Sequence, residues 1–243
     1  MPTVNLFIPC LVDQFLPEVG QACANVLTRL GVDLHMPKGQ TCCGQPVYKS
    51  GRLDEAREVA RRHLTLFENA DVVVAPSGSC VHMMRHSYAE LFENDPGMRE
   101  RARALGQRTF EFCEYLVDVL GVTDVDANYV ARAAYHDSCQ VGRSLGVKDQ
   151  PRALLDAVGG LTRVELEFAD ECCGFGGPFS VQHAAVSEAI LEDKIDDILS
   201  CQADIVVTAE PSCLLNIRGG LEKLKAKQPV LHIAQVLDSG VGA

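Results

Sequence analysis

No apolar stretch in this 243-residue chain approaches the roughly 20 residues that a membrane-spanning helix needs. Basic charge is also scarce: 22 lysines and arginines stand against 33 acidic residues, and the net charge of −11 argues against nucleic acid or an anionic membrane as partner. The opening, Met1-Pro2-Thr3-Val4-Asn5, lacks the basic and apolar regions of a secretory leader, so the expected location is cytoplasmic. There is no Gly-x-Gly-x-x-Gly after a strand and no phosphate loop, which assigns any flavin or nicotinamide to a partner. Two further absences concern metals. The chain has no Cys-x-x-Cys knuckle of the usual zinc type, and no ferredoxin-type run of several cysteines within a dozen residues.

Cysteine itself is abundant, with eleven residues. Thiols stay reduced in the cytoplasm, so a patterned set points to metal binding or redox chemistry rather than to structural disulfides. Eight of them form a pattern. Cys172-Cys173-Gly174-Phe175-Gly176-Gly177-Pro178 has a shorter twin in Cys42-Cys43-Gly44-Gln45-Pro46. Upstream of the two pairs, at offsets of 32 and 33, lie Cys10 and Cys139; downstream, at 37 and 40, lie Cys80 and Cys213. The whole set recurs with shifts of 129 to 133 residues, the signature of two homologous halves.

The rest of the chain repeats in step. Short apolar runs at 4–8, 32–36 and 71–75 read as strands, as do 131–135, 162–166 and 204–209. Helices are expected at 19–30, closed by Gly31, at 53–67, after Cys80, at 151–158 and at 180–199; a long helix is expected from Met98 to Gly121. A basic helix through Lys227 and a final apolar segment, 230–237, end the chain. Alternating strands and helices imply an α/β fold of two tandem Rossmann-like halves with parallel sheets, related by a pseudo-two-fold, spanning 1–125 and 126–243. The junction at 124–128 is short and polar, so the halves are expected to pack tightly.

Each patterned cysteine then follows the carboxyl end of a strand, the edge at which open α/β sheets bind ligands. Adjacent side chains in extended backbone point to opposite faces. A Cys-Cys pair therefore faces one centre only if the chain turns at once, and Gly44 and Gly174 allow that turn. Cys80 and Cys213 enter helices, whose dipoles favour the thiolate. Four thiolates per half, Cys10, Cys42, Cys43 and Cys80, then Cys139, Cys172, Cys173 and Cys213, suit either an iron–sulfur cluster or a four-cysteine zinc.

On these residues the chain resembles the CCG-type cysteine-rich domain proteins. Further matching stretches are Cys10-Leu11-Val12-Asp13, Pro76-Ser77-Gly78-Ser79-Cys80, Cys213-Leu214-Leu215-Asn216-Ile217 and His232-Ile233-Ala234-Gln235-Val236-Leu237. The family includes the cysteine-rich subunit of heterodisulfide reductase, the iron–sulfur subunit of glycolate oxidase and proteins of lactate utilization. The resemblance implies an iron–sulfur electron-transfer subunit, with a [4Fe–4S] cluster in one half or both. It would work beside a ferredoxin-like iron–sulfur subunit and a third lactate utilization subunit in oxidising L-lactate to pyruvate. The full family pattern ends each repeat with Cys-x-x-Cys; here those last positions are Met83 and Asn216. One ligand per repeat is missing relative to the heterodisulfide reductase type, which disfavours a five-cysteine non-cubane cluster and disulfide cleavage. Four cysteines still suffice for an ordinary [4Fe–4S] cluster. The alternatives are an iron–sulfur subunit for glycolate or another 2-hydroxy acid, a thiol or heterodisulfide reductase-like enzyme, and a scaffold or docking subunit with zinc in one half.

Other residues have plainer readings. Cys23, Cys113 and Cys201 have no counterpart in the other half and read as small buried side chains. His136 has Phe7 as its counterpart and reads as a core histidine or one packed behind the centre, ahead of a catalytic role. Met83 reads as a packed methionine. His82 and His86 read as a solvated face, as do Lys223, Lys225 and Lys227; His183 is open between the site and the surface. Arg143 and Arg218 could clamp a carboxylate but read as surface residues.

Overall fold

Val72-Val73-Val74-Ala75 and Ile205-Val206-Val207-Thr208 are buried almost throughout, without polar alternation. That is the pattern of parallel strands covered on both faces. In the computed structural model, which describes residues 3–240, they are the third strands of two four-stranded sheets. The first sheet contains β1 (Val4–Leu6), β2 (Leu34–His35), β3 (Val72–Ala75) and β4 (Thr109–Glu111) in the order β2-β1-β3-β4. The second contains β5 (Asn128–His136), β6 (Gly159–Glu165), β7 (Ile205–Thr208) and β8 (Val230–His232) in the order β6-β5-β7-β8. Every pairing is parallel. The α/β class, the parallel sheets and the two similar halves agree with the sequence pattern. Among the described residues, no helix is long and apolar enough to cross a membrane.

The expected long helix from 98 to 121 is not formed. A helix at Pro96–Gln107 stops, β4 follows, and the chain resumes as a short helix, Phe112–Glu114, and a π-helical turn, Tyr115–Val119. Thr109, Phe112 and Leu116 keep helical spacing across the break, but Thr109 and Glu111 are buried in the sheet, where β4 completes the pairing of β3. Tertiary pairing overrides the local period. The helix expected at 180–199 is likewise split at His183, into Pro178–Gln182 and Ala184–Ser200. Gly159-Gly160, just past the helix Asp149–Asp156, opens β6.

The two halves interlock. After β8, the helix Ile233–Leu237 packs on the first-half helix Pro17–Arg29, where Arg29 meets Asp238 at 3.2 Å and Asn25 donates to it at 2.7 Å. After β4, the segment at 112–119 packs on the second-half helix Asp149–Asp156, and Gln150 donates to Asp118 at 2.7 Å. The largest buried cluster accordingly mixes both halves, with Leu6, Val74 and Phe112 against Tyr135, Val207 and Val236. Val125 and Ala127 in the junction join it, so the junction is part of the core.

Glu111, at the end of β4, caps the following helix by accepting from Cys113 N at 2.7 Å and Glu114 N at 3.2 Å. Its other oxygen has no partner, and burial pushes the carboxyl up to about 8. A carboxyl raised in the fold contributes stability that is fully present below about pH 4.5 and is lost as pH rises through 8. Wild type is therefore expected to lose stability relative to Glu111→Gln across that interval. Denaturant melts of both proteins over the pH range check this; parallel profiles would contradict it.

Candidate metal centre

Cys10 opens the helix that follows β1, and Cys139 opens the π-helical turn that follows β5. The Cys-Cys pairs lie in the loops after β2 and β6, while Cys80 and Cys213 lie in the first turns of helices Gly78–His82 and Pro211–Lys223. The loops converge as the strand order requires, and all eight cysteines line one cleft of about 360 Å³ between the halves.

Within the cleft the sulfurs form two sets. Cys43 Sγ lies 3.3 Å from Cys80 Sγ, and Cys173 Sγ lies 3.1 Å from Cys213 Sγ. The neighbouring Cys10 and Cys43 thiols favour the Cys42 thiolate, Cys10 foremost, and Cys139 and Cys173 favour that of Cys172, Cys139 foremost, which holds both far below the ordinary thiol range. Cys10, Cys43, Cys139 and Cys173 are pushed up in turn. Cys213 is lowered to about 5, chiefly by the Cys173 thiol 3.1 Å away.

The turn that presents each pair is held the same way in both halves. Gly44 adopts φ +84 and Gly174 φ +86, the left-handed region open to glycine. Their N–H groups donate back to the first sulfur of the pair, at 3.4 Å to Cys42 and 3.3 Å to Cys172. The carbonyl of the second cysteine is clamped by a side chain from the helical stretch that carries the last cysteine of the half: Tyr88 Oη donates to Cys43 O at 2.9 Å, and Asn216 Nδ2 to Cys173 O at 2.7 Å. A Cβ on Gly174 would lie 2.4 Å from the Ser187 carbonyl oxygen, whereas one on Gly44 would meet the movable Val59 side chain at 3.1 Å. Left-handed strain alone costs about 1–2 kcal/mol. Gly44→Ala is expected to lose about that much and Gly174→Ala to lose more, with metal content falling further in the second variant. Equal losses by thermal denaturation would contradict the reading.

A buried carboxylate joins the halves at the floor of the cleft. Glu210, 1% exposed, caps helix Pro211–Lys223 and accepts from Ser79 N at 2.8 Å, Ser79 Oγ at 3.1 Å and Ser77 Oγ at 3.2 Å. Burial raises its carboxyl to about 7. Beside it Gly78 packs so closely on Val141 that a Cβ would lie 2.5 Å from Val141 Cγ2.

Eight cysteine sulfurs on one cleft, with backbone N–H groups turned onto Cys42 and Cys172, fit a thiolate-held metal or iron–sulfur centre. The family profile described as the CCG cysteine-rich domain matches residues 4–85 and again residues 133–218. This chain belongs to the CCG cysteine-rich domain family. Among relatives of this CCG protein, "Lactate utilization protein A" of Exiguobacterium sp. is 47% identical over 243 residues, 99% of each chain. Its namesake in Bacillus cytotoxicus is 45% identical over 236 residues, 97% of this chain and 98% of that one. A solved hypothetical protein from Helicobacter pylori shares the fold: it matches all of this chain, which spans 49% of its length, at a TM-score of 0.64 and 12% identity.

The remaining sequence candidates of the CCG protein separate cleanly. Cys23 and Cys113 are fully buried among apolar side chains, and Cys201 is half-buried, its thiol donating to Ile198 O at 3.1 Å. Met83 is packed in the first half's outer core. His82 is half-buried and its ring lies 4.9 Å from that of exposed His86; His183 and Arg143 are exposed and Arg218 half-buried, and none of these five lines the cleft. Sequence reasoning missed the roles of Glu210, Tyr88 and Asn216. Only Glu210 left a signal, the correspondence of Glu210-Pro211-Ser212-Cys213 with Ser77-Gly78-Ser79-Cys80.

Proposed function

We propose that this chain is the iron–sulfur electron-transfer subunit of a system oxidising L-lactate to pyruvate. This reading is carried by the convergence of all eight patterned cysteines on one cleft, with Cys43 beside Cys80 and Cys173 beside Cys213. In this reading Cys10, Cys42, Cys43 and Cys80 hold one [4Fe–4S] cluster, and Cys139, Cys172, Cys173 and Cys213 another, one per repeat (1–125 and 126–243). When bound, such clusters supply one-electron storage and release, and two of them match the two electrons given up when lactate becomes pyruvate. The chain's own groups fix and tune the site. Gly44 and Gly174 N–H drain charge from sulfur, Tyr88 and Asn216 lock the turns, and burial of Cys43, Cys80, Cys173 and Cys213 keeps water from half the ligands.

The names of the relatives support lactate as the fuel. Among the described residues the cation lining the cleft is Lys49, with no arginine there to clamp a carboxylate bidentately, and in this reading substrate oxidation takes place in a partner or at a shared interface. A ferredoxin-like iron–sulfur subunit and a third lactate utilization subunit are the partners in this reading, and the reducing cytoplasm is where its thiols stay available. The test is anaerobic mixing of the reconstituted subunits with L-lactate or glycolate while the EPR of this chain is followed. Reduction by lactate and not by glycolate is expected; reduction by glycolate alone would reassign the substrate, and reduction by neither would remove the role.

A second reading places zinc in the second half. It is favoured by a ring nitrogen of His136 and the sulfurs of Cys173 and Cys213 lying within 4.8 Å of one another, a donor combination that zinc also accepts.

A further inference from the structure

We propose that His136 is an N–H···S donor to the second cysteine set, making the centre held there the more easily reduced of the two. This rests on the iron–sulfur reading above. His136 is the last residue of β5 and is fully buried, and neither ring nitrogen has a hydrogen-bond partner. Leaving a buried polar group unpaired is costly, and such groups are normally satisfied. A neutral imidazole carries one N–H. The acceptors gathered beside this one are the sulfurs of Cys173 and Cys213, within 4.8 Å of the ring nitrogen and of each other.

The other buried histidines are engaged elsewhere. His63 Nε2 lies 3.3 Å from Thr41 O, and His232 Nδ1 accepts from Ala234 N at 3.2 Å. In the first half the place of His136 is taken by Phe7, three residues before Cys10 as His136 is three before Cys139. Phe7 lies edge-on to His63 and Phe67, at 5.0 and 5.9 Å between ring centres, and has no polar hydrogen to give. The glycine N–H donors to sulfur match across the halves, and Tyr88 and Asn216 hold matching carbonyls. His136 thus offers the second set a donor whose place in the first half is taken by a phenylalanine. A hydrogen bond to sulfur withdraws charge and favours the reduced state, so electrons entering the chain settle in the second half.

The test is an EPR-monitored redox titration of the anaerobically purified chain, with iron and sulfide measured on the same samples. Two midpoints are expected. His136→Phe lowers the higher one and leaves the lower one in place, Phe7→His raises the lower one, and His136→Gln, which keeps an N–H, restores part of the loss. Pulsed EPR of wild type labelled with 15N only in histidine needs no substitution, and a weak 15N coupling on the higher-potential centre is expected. Unchanged midpoints in a fully loaded His136→Phe protein, or no histidine coupling in wild type, would overturn the proposal while leaving the iron–sulfur reading intact. A coupling of the strength of a coordinated nitrogen would overturn it in favour of direct ligation. A chain without iron would remove both.

Discussion

Cys173→Ser is expected to empty the second half of metal while the first half stays loaded. Cys173 lies 3.1 Å from Cys213 and adjoins Cys172 in the chain, and the first set uses none of these sulfurs. Serine keeps the size of the side chain but not a thiolate, the form that binds metal. Iron and sulfide should fall to about half of wild type, as two like clusters require. Cys43→Ser should give the complementary half, and the double variant none. The residual EPR signals of the two single variants should add to that of wild type. Complete loss of iron from either single variant would mean that the eight sulfurs hold one centre across the cleft.

Asp197→Ala carries the largest expected cost in stability. Asp197 and Lys194 are a buried ion pair, 3.1 Å apart, with side chains 3% and 0% exposed. Lys194 also donates to Phe168 O, and Asp197 accepts from Glu167 N at 3.1 Å and Phe168 N at 3.3 Å. The pair thus fixes the strand exit that leads to Cys172. Removing the carboxylate leaves a buried ammonium without its counter-charge, which costs about 3–5 kcal/mol. For a chain of this length that corresponds to a fall in Tm of roughly 6–20 °C. The paired change Lys194→Met with Asp197→Leu should recover much of the loss, because it removes both charges together. A single variant within about 1 kcal/mol of wild type would show that the pair is not desolvated as described.

The cysteine frame was legible because its repeat survives insertion and divergence: Cys10 and Cys139, or Cys80 and Cys213, stand at matching distances from Gly44 and Gly174 whatever lies between. The left-handed turn at each glycine was legible for a physical reason, since two adjacent side chains cannot face one centre without it. β4 was hidden because Thr109, Phe112 and Leu116 continue a helical period, and three residues of strand are too few to announce themselves. Its partner in the repeat, Val230-Leu231-His232, also ends in a buried cap, and comparison of the two would have revealed it. Glu210 stands where the first half has Ser77, but its bridge across the halves was not legible from that correspondence. A glutamate is ordinarily solvated, and its partners Ser77 and Ser79 lie more than 130 residues away in the chain. His136 could be placed near the second set, but its want of any hydrogen-bond partner is a property of packing alone.

Whether the two sulfur sets hold two iron–sulfur clusters is decided by metal analysis of the anaerobically purified chain. Iron, acid-labile sulfide and zinc would be counted per chain, with EPR before and after dithionite. About eight irons and eight sulfides, with a signal that changes on reduction, are predicted. Zinc without sulfide, and no reducible signal, would contradict the account and leave a metal-stabilised scaffold in its place.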